Sequence, residues 1–414
     1  MRESGPILTV VSVTMVCGLF LSCGNEDILG PGDQSNDRIA ITNDEGRLED
    51  RVQYYTEQEV TVDSAGTRPL AKRVASQDFS LKLVAEVTPP SIDGQVLQAT
   101  SVVIKGNRAI ISYNMRGEPY LGAIDVFNIS KKKTPKLTSE ALFNDTDIHS
   151  VSFDAGNVYA ATATGDPAFS NPAVLEVIRL TGDKLILEGN ERIPLASFAG
   201  TCIEATEDVI YATSGDDGGL GTFDPSSLDP ISAIPLHDAR WVDVEDDKVV
   251  VVQGTPGQLS VFDENDLTPL GTYSFNGADV AESKSTVEIL GGKAFVAGGS
   301  GGVQILSVVT GSVVGNIPRP DPDALGLDES VVVTNAVSVD DDLLFISNGE
   351  AGVYVAQGSE EFDKTGSEEQ QEITVLGKLR FDDLQSVNHV TYKGKYLIVA
   401  GGLGGLKIVE IEDD

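Results

Sequence analysis

Seven times between residues 99 and 414 one pattern returns: an apolar strand, a short polar turn, a second apolar strand, a Gly-rich turn and a third strand. The first strands read ATSVVIK (99–105), HSVSFD (149–154), TCIEA (201–205), RWVDVE (240–245), STVEIL (285–290), NAVSVD (335–340) and NHVTYK (388–393). Aligned on Thr100, His149, Thr201, Arg240, Ser285, Asn335 and Asn388, successive repeats lie 39 to 53 residues apart. A β unit of that period cannot bury its own apolar face alone, which specifies a propeller or a β array. An open solenoid would need shorter coils and polar caps, and neither end has one.

Six repeats carry a fourth strand, and the seventh stops after its third. An orphan strand, SLKLVAEV (80–87), precedes the first repeat. Pairing it into the last repeat closes the ring without an open sheet edge. The expected fold is all-β: a seven-bladed β-propeller over residues 79–414, with N- and C-terminal strands closing the last blade.

Ahead of it, Ile7 to Leu21 carries no charge. Such a stretch, at about 1.5 Å per residue, is short of a hydrocarbon core of roughly 30 Å but suits the apolar region of a signal peptide. The segment Phe20-Leu21-Ser22-Cys23-Gly24 follows at once. It resembles the lipobox of bacterial lipoproteins, with Ser22 as the small residue before the cysteine and Phe20 where Leu is usual. The resemblance implies a lipoprotein signal peptide over 1–22, lipidation of Cys23 and attachment to the outer membrane of a bacterial cell envelope. Glu26 and Asp27 resemble the surface-export signals of Bacteroidetes-type lipoproteins, which points to the cell surface. Between Gly24 and Asp50 eight acids face two arginines. Residues 23–78 are therefore expected to be an acidic flexible tether, with Val52 to Val62 able to form a local element, and its removal leaves the ring nearly as stable.

The repeats themselves carry a second resemblance. The phrases YLIVAGGLGGLKIVEI (396–411), LLFISNGEAGVYVA (343–356) and KAFVAGGSGGVQILSV (293–308) resemble the LVIVD-repeat β-propellers of bacterial and archaeal surface or secreted proteins. The final Asp of that motif survives mainly as Asp125 and Asp263. The resemblance implies the fold and, because folds host many functions, no particular activity.

Equivalent positions on seven inner strands form rings around a channel. The aligned ring of Thr100, His149, Thr201, Arg240, Ser285, Asn335 and Asn388 is polar throughout, and two residues later all seven positions are apolar. Trp241 and His389 follow two ring members directly. With the ring they are candidate ligand-binding residues for a small polar ligand or a peptide end; a solvated channel entrance is the competing reading. Arg240 could grip an anionic group with two hydrogen bonds, or pair with a neighbouring acid. Three residues deeper, Glu204, Asp243 and Glu288 put carboxylates at one level of adjacent blades. A divalent cation such as calcium suits them; otherwise water or neighbouring blades satisfy them.

A net charge of −35 excludes nucleic acid as a partner, since phosphates need the opposite sign. HExxH and phosphate-loop motifs are absent. Cys202, in an apolar stretch, reads as core filler. These observations favour a binding or scaffolding module for a protein or small-molecule partner, held to the membrane by its lipid. The alternative is a hydrolase or lyase using the channel carboxylates, with a divalent metal.

Overall fold

The polar turns between successive apolar runs allow only hairpins, so each repeat folds as an antiparallel meander of four strands. The computed structural model describes residues 32–63 and 79–413, apart from 132, 246, 281–282 and 382–385. Seven such sheets stand around a channel. Their inner strands are Gln98–Lys105, Thr146–Asp154, Gly200–Ala205, Ala239–Glu245, Val287–Leu290, Ala336–Asp340 and His389–Lys393, each packed on the next and the last on the first. In blade 7, Phe79–Val87 pairs antiparallel with Leu406–Asp413, from Leu406 opposite Val87 to Asp413 opposite Phe79. The expected closure is present.

The core lies between blades. Val102 and Ile104 of blade 1 pack with Ile398 and Ile408 of blade 7. Val287 and Ile289 of blade 5 pack with Val250 and Val261 of blade 4, and Val337 and Val339 of blade 6 with Phe295 and Ile305 of blade 5. The apolar residues of an inner strand thus face the preceding blade. Period-two alternation then turns the intervening polar ones towards the following blade. Each such Val or Ile contributes about 1.5–3 kcal/mol by leaving water. Two Gly-rich turns show why the repeats need glycine. Gly302 (φ +72°) and Gly405 (φ +73°) run so close to the outer strand that an added Cβ would lie 2.2 Å from Ile317 O and 2.0 Å from Val87 O.

The tether expected over residues 23–78 is corrected where the structure describes it. Gln34–Ser35 and Ile39–Thr42 add two strands outside blade 1. A short helix, Glu45–Glu49, follows, capped by the Asp44 carboxylate on the Gly46 N–H. Val52–Glu59 then pairs with Phe79–Val87 outside blade 7, and Val62–Asp63 with Ile373–Leu379 outside blade 6. The segment is a belt across three blades. Its acids and arginines are not solvated as a run. Arg38 meets Asp145 and the fully buried Glu176, Arg51 meets Asp125 and Glu140, and Glu45 meets Lys136 and Lys184. Ile39, Ile41, Leu48 and Val60 supply the buried apolar contacts. Cys23 and the signal peptide lie outside the described residues.

Two further acidic stretches are also structured. Asp321 and Asp328 cap a helix at Pro322–Leu325 and a 3₁₀ turn at Glu329–Val331. The loop 358–372 is pinned by buried Phe362, whose carbonyl, with that of Thr365, accepts from the Lys293 ammonium.

Candidate functional site

An innermost strand has a sheet neighbour on one side only, so its other edge presents unpaired N–H and C=O groups to the channel. The polar ring residues meet that need. Thr100 Oγ1 donates to Ile148 O (2.8 Å), Thr201 Oγ1 to Ala239 O (2.8 Å), Asn335 Nδ2 to Val387 O (3.2 Å) and Asn388 Nδ2 to Ala99 O (2.8 Å). His149 Nδ1 lies 2.7 Å from Gly200 O, so this nitrogen carries the ring proton. Every acceptor is the residue just before the ring residue of the next blade. In blades 1 to 4 the ring residue sits on a β-bulge, which aims its side chain away from the regular pleat.

Arg240 and Ser285 depart from this pattern but are equally engaged. Arg240, 4% exposed, bonds both oxygens of Asp238 (3.0 and 2.7 Å), Val280 O (3.0 Å) and Ser285 Oγ (3.3 Å). Gly254 leaves room for its guanidinium, since a Cβ there would lie 2.1 Å away.

Deeper rungs repeat the device with acceptors. Ser101 Oγ takes the Val151 N–H and Thr286 Oγ1 the Val337 N–H. Ser152, Asp243, Glu288 and Ser338 take the N–H groups of Ala205, Ile289, Val339 and Tyr392. The seven aligned residues, read from the sequence as a ligand ring, thus bond blade to blade. Asp243 (2.6 Å) and Glu288 (2.7 Å) each commit an oxygen to a backbone N–H rather than to a common centre. No group of three His, Cys, Asp or Glu side chains converges among the described residues. Burial, with repulsion from Asp243, lifts Glu204 and Glu288 to about 8; burial lifts Asp243 to about 6.

Two pairs span the channel mouth, each between blades three apart. Trp241 of blade 4 stacks on His389 of blade 7, with centroids 5.3 Å apart. Lys284 of blade 5 reaches over the Trp241 ring (5.7 Å) and donates to His149 O in blade 2 at 2.8 Å. Burial and the nearby Lys284 charge push His149 down to about 4 and His389 to about 3, so both imidazoles are neutral at pH 7. Cys202, pushed up to about 12 by burial, is a protonated thiol donating to Val242 O. Lys284 is the residue that sequence reasoning passed over. A signal existed: the residues preceding the other ring positions are Ala99, Ile148, Gly200, Ala239, Thr334 and Val387, all uncharged.

On the same face, blades 1, 6 and 7 enclose a cleft of about 520 Å³ lined by Val96, Gln98, Asn114, Arg116, Glu350 and Leu403, among others. Val96 and Leu403 are about half exposed. One wall is the long loop 114–121, held by Asp147, whose carboxylate accepts from the N–H groups of Leu121 and Met115.

No protein-family model matches the chain, and no curated protein matches it. Among solved structures it is similar to the WD40 β-propeller domain of Doa1, at 12% identity and a TM-score of 0.53, over 80% of this chain and 97% of that one. The computationally designed Ika8 protein aligns at 11% identity and a TM-score of 0.48, over 86% of this chain and 98% of that chain. The Doa1 likeness shows the fold alone, a β-propeller.

Proposed function

We propose that this chain is a lipid-anchored propeller of a bacterial cell envelope, of the LVIVD-repeat kind, which binds a protein or small-molecule partner on its mouth face. The observation that carries the binding reading is the cleft between blades 1, 6 and 7. Its partly apolar, partly charged lining combines exposed Val96 and Leu403 with Arg116 and Glu350, whereas the polar ring is consumed between blades. The hydrolase or lyase reading relied on free channel carboxylates, and two of the three are engaged.

The anchor rests on the uncharged segment 7–21 and the Phe20-to-Gly24 motif. The belt shortens the reach of such an anchor. Nine peptide steps separate Cys23 from Gly32, at most about 32 Å of chain. A lipid at Cys23 would therefore hold the ring by its rim at blade 1.

Both halves can be tested separately. Lipid labelling in the native host should disappear in Cys23→Ala, and persistent labelling rejects the anchor. In that soluble variant, a photo-crosslinker on Leu403→Cys should capture an envelope component that the same probe on Leu270→Cys, exposed on blade 4, does not. Equal capture at both positions rejects the cleft.

A further inference from the structure

Lys284 holds an ammonium group inside the channel mouth with no carboxylate to balance it among the described residues. The groups facing it are His149, His389, Trp241 and Cys202, and none of these carries a negative charge at pH 7. One of its hydrogens goes to His149 O. Taking a cation out of water without a counter-charge is costly, and such sites are normally paired. The protein is rich in acids, yet two of its channel carboxylates, Asp243 and Glu288, bond backbone N–H groups in the interblade rungs below. Burial holds the Lys284 pKa down at about 8, which still leaves most of it charged at pH 7. Lys284, Trp241 and His149 are each half-buried, so the mouth is open to solvent above them.

We infer that the channel mouth between Lys284, Trp241 and His389 is a binding site for a small organic monocarboxylate. The carboxylate would supply the missing counter-charge and take the remaining ammonium hydrogens, forming a charge-assisted hydrogen bond. A single negative charge matches the single ammonium, whereas a dianion would leave one charge buried without a partner. The Trp241–His389 stack offers an apolar wall for the body of the acid. This site is independent of the partner cleft.

Trp241 is the only tryptophan, so its fluorescence reports on the site directly. Benzoate titrated into the purified protein should shift that fluorescence saturably below about 10 mM and raise the melting temperature. Benzamide, the same shape without the charge, should do neither. Lys284→Met should weaken benzoate at least tenfold, about 1.4 kcal/mol. Three results would overturn the inference: no saturable response, benzamide binding as well as benzoate, or chloride saturating the same signal at lower concentration. Full affinity in a folded Lys284→Met would do the same. Should that variant fail to fold, the benzoate, benzamide and chloride comparison on the wild-type protein decides alone.

Discussion

Arg51 of the belt grips the buried carboxylate of Asp125 in blade 1 through two parallel hydrogen bonds, of 2.9 and 2.7 Å. Glu140, on the neighbouring strand, bonds the same guanidinium. Burial and repulsion from Asp125 lift Glu140 to about 7, although Arg51 opposes the shift. One side chain from outside the ring thus bonds two acids inside it.

Arg51→Met should accordingly cost about 3–5 kcal/mol, the usual penalty for stranding a buried charge. Urea denaturation measures it. Asp125→Asn in the Arg51→Met background should recover part of the loss, because the stranded charge is then gone. Additive losses in the double variant would mean that the two residues do not act together.

Truncation gives a second test, and its expected outcome reverses the tether reading. A chain beginning at residue 79 lacks the belt, exposes the outer strands of blades 1, 6 and 7 and strands Asp125 and Glu140. Its melting temperature should fall on the order of 10 °C. A chain beginning at residue 89 also lacks the closing strand and should not yield a folded monomer. An unchanged melting temperature in the first truncation would show that the belt adds nothing.

Interblade bonding predicts that ring substitutions act on stability. Thr100→Val keeps the shape but leaves the buried Ile148 carbonyl without its donor, costing about 1–3 kcal/mol. Arg240→Ala removes bonds to Asp238, Val280 and Ser285 and should lower the denaturation midpoint further. Of the two roles open to Arg240 in the sequence, the geometry shows the second, pairing with a neighbouring acid, Asp238. Midpoints equal to wild type in both variants would return the ring to the solvent.

The raised carboxylates set a pH dependence. Glu204 and Glu288 near 8, Glu140 and Asp147 near 7 and Asp243 near 6 all lie above their ordinary range around 4. As pH falls through these values the folded chain takes up protons before the unfolded one, so stability rises until about pH 4 to 5. His149 and His389 work the other way. Held neutral down to about 4 and 3, they remove stability as pH falls below their ordinary value of about 6.5. Lys284 adds stability only above about 8. Thermal melts should therefore show a higher midpoint near pH 6 than near pH 8, and Glu204→Gln with Glu288→Gln should flatten that rise. A midpoint that falls from pH 8 to pH 6 in the wild type would contradict these assignments.

The repeat pattern by itself determined the fold. Alternation in strands such as Ala99-to-Lys105, glycine in the turns and the orphan strand ending at Val87 are local signals, and period-two alternation has one geometric meaning wherever it occurs. The seven polar ring residues were legible as a set, but their role was not. Whether Thr100 faces water or a carbonyl depends on where Ile148, 48 residues on, presents its free edge. The belt escaped for a related reason: Ile39, Ile41 and Leu48 are too few to look like a core, and only the outer edges of blades 1, 7 and 6 make them one. Lys284 is decided wholly by tertiary structure, because a lysine in a polar loop reads as solvated until the ring closes around it and brings no acid of the described residues within reach.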